Sequence, residues 1–104
     1  MSLRTLAKLY KEMAEKIMER ARNLDKLPKA EAVKISHAIR DAAIIAQMTE
    51  DEIYEELKKL ANQFGGCVSC KYSAPTEDNL RLTSRTCTLG LSQSTCVSYE
   101  RIED

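Results

Sequence analysis

Apolar residues recur at steps of three and four through the first two-thirds of the chain. Leu3, Leu6, Tyr10, Met13, Ile17 and Leu24 make the first series, with Arg20 the one break. Leu9, Ala14, Met18 and Ala21 widen the stripe. The spacing predicts a helix over residues 3–26 with a broad buried face rather than a coiled-coil seam. On the opposite face Lys8 and Glu12, Lys11 and Glu15, and Glu12 and Lys16 stand four apart. Such pairs each stabilise a helix by about 0.2–0.5 kcal/mol and describe a solvated surface. Leu27-Pro28 closes this element and opens the next, because proline cannot continue a helix but suits its first turn. A second helix is expected from about 29 to 48. Ile35, Ile39, Ala42 and Ala46 line one face, and Ile44, Ile45 and Met48 broaden it. Its many small residues (Ala30, Ala32, Ser36, Ala38, Ala42, Ala43, Ala46) permit close approach of neighbours, so it is expected to be the central helix. Thr49-Glu50-Asp51-Glu52 reads as a capping box. A third helix follows, with acidic residues at its start and Ile53, Leu57, Leu60, Ala61 and Phe64 toward the core. Gly65-Gly66 is the expected stop.

Beyond Gly66 the period disappears. Pro75 to Asn79 reads as a loop. Leu80-Arg81-Leu82-Thr83 alternates as a short strand would, and Gly90 marks a turn. Val97 and Tyr99 alternate with polar residues ahead of Ile102, which suggests a last strand. The predicted fold is mainly α: a three-helix bundle (residues 1–64) followed by a small four-cysteine module of loops and short strands (residues 65–104), the two packed as one unit.

Composition narrows the function classes. The chain has 104 residues, with 16 basic and 16 acidic side chains. Zero formal net charge gives no long-range attraction to nucleic acid or acidic lipid. One Phe and no Trp leave a largely aliphatic core. No run approaches the roughly 20 apolar residues of a membrane helix. Charges at Arg4, Lys8, Lys11 and Glu12 interrupt any signal-peptide pattern, so a cytoplasmic location is expected.

The chemistry concentrates in four cysteines, Cys67, Cys70, Cys87 and Cys96, spaced C-x2-C-x16-C-x8-C. Two cysteines separated by two residues can aim both sulfurs at one metal where the backbone turns, and two more complete a tetrahedral set. Thiolates suit zinc and iron–sulfur clusters above other choices. In a reducing compartment clustered cysteines point to metal before disulfides, although intracellular proteins of hyperthermophiles are an exception. A thioredoxin-type site is disfavoured, since that pair opens a helix after a strand and this one follows a helix and a double glycine.

Cys67, Cys70, Tyr72, Cys87, Leu89, Gly90, Cys96, Ser98 and Tyr99 together form a pattern that resembles the cluster-binding segment of high-potential iron–sulfur proteins. The resemblance covers about the last third of the chain; the helical part has no counterpart in that family. It implies that the four cysteines hold one [4Fe–4S] cluster, with aromatic side chains as its shield. Small modules of this pattern also look like the accessory subunits of some glycyl-radical enzymes. Tyr72, Leu89 and Tyr99 are the candidates for shielding the cluster or site, and equally the candidates for the module's own small core. Zinc stays open beside the cluster, and a zinc site closed by four cysteines would be structural rather than catalytic.

Other chemistry is sparse. His37 is the sole histidine and has no evident partner for general-base work. Glu12, Glu15 and Glu19 lack the Glu-x-x-His element of di-iron bundles. No phosphate loop or nucleophile motif occurs, and no catalytic residue is assigned. A helix-turn-helix reading of the second and third helices would bring the acidic start of the third against phosphate, which argues against nucleic acid. The sequence therefore points to a metal-stabilised accessory or interaction protein that carries a [4Fe–4S] cluster or structural zinc, its helices offering a surface to a protein partner or a second copy. The competing readings are a nucleic-acid-associated zinc protein, a small electron carrier, and a disulfide-stapled domain.

Overall fold

The computed structural model describes residues 2–64, 68–70, 72–77, 79–83, 86–87 and 100–103, with Thr86 and Cys87 described by backbone alone. The fold is mainly helical: α1 (Leu3–Ala21), a 3-10 turn (Leu24–Lys26), α2 (Lys29–Ser36), α3 (Ile39–Ala46) and α4 (Glu50–Gln63). Two short antiparallel strands follow, β1 (Ser73–Ala74) and β2 (Thr86–Cys87). No helix among the described residues is long and apolar enough to cross a membrane.

α1 begins where Ser2 caps it, its Oγ accepting from Thr5 N at 3.2 Å. The first apolar stripe is buried as expected at Leu3, Leu6, Tyr10 and Ile17, with Ala7 and Ala14 beside it. The α-helix stops at Ala21, short of residue 26. Past it, the amides of Asn23, Lys26 and Leu27 bond to carbonyls three residues back, which tightens the chain into a 3-10 turn. Pro28 then stands just before α2 with an extended backbone.

The expected second helix is in fact two. Ser36 Oγ donates to Val33 O at 2.6 Å, and that carbonyl is the one His37 N–H would take in a continuous helix. Serine back-bonding of this kind competes with the helical ladder and bends it. Ala38 N instead reaches Ile35 O at 2.9 Å, and α3 resumes with Ala42 N on Ala38 O at 2.8 Å. Ile35, Ala38, Ala42 and Ile45 still bury one continuous stripe across the break, which is why the periodicity reads as a single helix. Nor is this segment central. α1 is the element against which both α3 and α4 pack. Its fully buried Ala7 and Ala14, with Ala38 and Ala42 opposite, supply the close approach expected of the second helix alone.

Side-chain hydrogen bonds hold the end of α3 and the start of α4 in place. Lys11 Nζ donates to Ala46 O at 2.7 Å and Met48 O at 2.6 Å, giving α3 the cation that its own last turn lacks. The capping box of α4 forms as expected: Glu52 N donates to Thr49 Oγ1 at 3.2 Å, and Thr49 N to Glu52 Oε1 at 3.0 Å. Arg4 lies 3.8 Å from the Tyr54 ring centroid and donates to Asp51 Oδ1 at 2.6 Å. That hydrogen bond, the leading cause, raises the Arg4 pKa above its ordinary value. Phe64, expected in the core, is 51% exposed. The helix ends at Gln63, and Phe64 takes an extended backbone that carries its ring off the buried face.

The described residues between 68 and 83, together with residues 100–103, contribute to the packing against these helices. Leu80 and Ile102 belong to the same buried cluster as Leu3, Leu6, Ile45 and Leu57. Leu80 to Thr83 is not a strand. Asn79 Oδ1 accepts from Arg81 N at 3.2 Å, and Arg81 O accepts from Tyr10 Oη at 2.8 Å, so the groups a ladder would use are taken. Leu80 is buried, Arg81 exposed and Leu82 half-buried, an alternation that reflects one-sided packing on the helices. Thr76 and Asn79 exchange both backbone hydrogen bonds at 3.1 Å and close the turn before it. The expected strand around Val97 and Tyr99 lies outside the described residues.

Candidate functional site

The site is built from the C-x2-C end outward. Cys70 is a buried free thiol, 3% exposed, flanked by the fully buried Ser69. Ser73 folds back on it: its Oγ donates to Cys70 O at 2.9 Å and its N–H to the same oxygen at 3.4 Å. A serine hydroxyl that bonds a backbone carbonyl three residues away fixes a tight local turn, and so sets the direction in which the chain leaves Cys70. Ser73 is itself buried and opens β1.

β1 pairs with β2 in a register that sets Ser73 opposite Cys87 and Ala74 opposite Thr86. The turn and the register together link Cys70 and Cys87, distant in sequence, through the one residue Ser73. On the other side of Cys70 runs a second segment. Arg101 forms an antiparallel bridge with Cys70, and Ile102 N donates to Ser69 O at 2.8 Å. Cys70 is therefore tied by its backbone both to Ser73 at the start of β1 and to Arg101, whose side chain in turn reaches the last turn of α4.

Of the expected shield, Tyr72 is half-buried just ahead of β1. Cys67, Cys96, Leu89 and Tyr99 lie outside the described residues, as does the Cys87 side chain. Among the described residues no group of three metal-ligating side chains occurs. Cys70 is the one described donor of the expected set, and its chemistry fits a thiophilic metal. Backbone groups around the sulfur are the usual second layer of metal–cysteine sites.

The sequence reading missed the roles of three residues that shape this place, Ser69, Ser73 and Arg101, the last of which it weighed only as a basic flank for nucleic acid. Serines on either side of a cysteine in a polar stretch give no periodic signal. Arg101 could have been noticed as the basic complement to an α4 whose last turn has no cation. His37 is exposed and lines a cleft of about 310 Å³ with Asp41, Asn79 and Arg81. Arg81 Nε and Asp41 Oδ2 are 4.0 Å apart there, a loose surface pair. Glu12, Glu15 and Glu19 are all exposed on α1.

The described residues define a small helical protein whose helices share a core with a short, partly stranded cysteine-bearing segment. Set against family models, curated proteins and solved structures, the chain matches none of them.

Proposed function

We propose that this chain is a metal-stabilised accessory or interaction protein, in which Cys67, Cys70, Cys87 and Cys96 hold a [4Fe–4S] cluster or a structural zinc. One observation carries the reading: Cys87 stands opposite Ser73, the residue whose hydroxyl bonds the Cys70 carbonyl, so two of the four cysteines are linked through one intervening residue. Two-residue strands with little core of their own gain most from a metal that ties them together. When bound, the metal supplies cross-linking; a cluster would add one-electron redox capacity. Exposed Val33, Ile44 and Phe64 give the helices apolar surface for a protein partner or a second copy. The nucleic-acid reading is disfavoured by the start of α4, where Glu50, Asp51 and Glu52 are all exposed.

Anaerobic purification followed by metal and sulfide analysis tests the proposal. Brown protein with iron and sulfide supports a cluster, and colourless protein with stoichiometric zinc supports the structural site. A colourless, metal-free protein without free thiols would overturn the proposal in favour of disulfides.

A further inference from the structure

Residues 101–103 touch three places at once. The Arg101 backbone bridges Cys70. Its guanidinium reaches over to α4, where Nη1 donates to Ala61 O at 3.2 Å and Nη2 to Asn62 Oδ1 at 2.5 Å. Ile102, buried in the common core, donates its N–H to Ser69 O. Glu103 O then accepts from Leu3 N at 2.6 Å, and Glu103 forms a parallel bridge with Ser2.

Each contact meets a specific need. Ala61 O is among the last four carbonyls of α4, which have no partner within the helix. The Arg101 cation also faces the negative end of a helix that carries acids in its first turn and no base in its last. Leu3 N is among the unpartnered amides at the start of α1. One short segment thus caps the end of one helix and the start of another, while gripping the backbone at Ser69 and at the sulfur-bearing Cys70 that follows it.

We propose that residues 101–103 act as a strap that couples metal occupancy at Cys70 to the order of two helix ends. This rests on the metal reading above. With metal held, the backbone at Ser69 and Cys70 is fixed, the strap is docked, and both helix ends are capped. With metal removed, that anchor loosens, the strap lifts, and the end of α4 and the start of α1 open together. A partner that binds near these ends would thereby sense the state of a buried cysteine it never touches.

Hydrogen exchange read by mass spectrometry tests this on the full chain, before and after removal of metal by a chelator under anaerobic, reducing conditions. Metal content is measured on the same samples. Exchange is expected to rise about tenfold or more in peptides covering residues 2–6 and 60–64, while residues 10–17 of α1 stay protected, as expected of local rather than global opening. In Arg101→Met the α4 end should exchange fast whether or not metal is present, with metal content unchanged. Arg101→Lys, which keeps a cation near that end, should fall between the two and serves if the methionine variant folds poorly. Purified protein that holds no metal overturns the site reading and the strap's trigger with it. Protein that loses its metal without any change at the two helix ends overturns the strap alone.

Discussion

Replacing Leu80 with alanine is the most direct probe of how the helices and the cysteine-bearing segment depend on each other. Leu80 is fully buried, and it shares its cluster with residues of α1, α3 and α4. Leu→Ala truncation in a core costs about 2–5 kcal/mol, the spread reflecting how far the site can collapse. Here Leu80 borders a groove of about 440 Å³ lined also by Ile44, Ile45 and Leu82. Half-buried Leu82 has room to move inward, which places the cost toward the middle of that range, about 3 kcal/mol. For a domain near this size each kcal/mol lowers Tm by about 4–8 °C, so the midpoint should fall by about 12–24 °C. Far-UV circular dichroism is the right assay, because it reports the helices and Leu80 is in none of them. Ile44→Ala, at a side chain 56% exposed on the same groove, should change stability by less than about 0.5 kcal/mol. If Leu80→Ala left the helical midpoint within about 2 °C of the wild type, the claim of a shared core would be refuted.

Thr49→Ala removes half of the α4 capping box and should cost about 1 kcal/mol by urea denaturation; an unchanged midpoint would mean that water replaces the cap without loss. Tyr10→Phe removes the hydroxyl that donates to Arg81 O and should also cost about 1 kcal/mol, accompanied by faster proteolysis within residues 79–83 if that bond holds the segment down. Lys11→Met keeps the apolar stem but strips the cation from the end of α3, and a loss of about 1–2 kcal/mol is expected, since two bonds to a charged donor go together. Cys70→Ser should abolish stoichiometric metal binding by elemental analysis, and full retention would remove Cys70 from the donor set.

The helical part was legible because its signals are local. The stripe from Leu3 to Ile17 and the box at Thr49 to Glu52 depend only on spacing along the chain, and both formed as read. The errors fall where one hydrogen bond or one long-range contact decides. The second helix breaks where Ser36 bonds back to a carbonyl one turn earlier, a local competition that no apolar pattern encodes. The alternation at Leu80 to Thr83 was real, but Tyr10 and Asn79 claimed the backbone groups that a strand would need. At the candidate site the cysteine types and spacing could be read directly. The neighbours of Cys70 could not, because Ser73 and Arg101 act through backbone geometry and through an α4 that lies about 40 residues away along the chain. Arg101 lost its place in the reading for a further reason: a cation that serves another helix looks, in sequence, like any solvent-facing charge.

The bond from Leu3 N to Glu103 O also carries a consequence for the order of folding. It joins residues from opposite ends of the described chain, and closing so long a loop costs entropy that local helical contacts do not. During synthesis α1, α3 and α4 can all assemble before residues 101–103 have emerged. Helices assembled at that stage would keep the Ser2 cap but lack the bond from Leu3 N to Glu103 O and those from Arg101 to the end of α4. Residues 101–103 can dock only after the cysteines preceding them have been made, so the bond to Leu3 ties the start of α1 to a segment synthesised after the whole cysteine set.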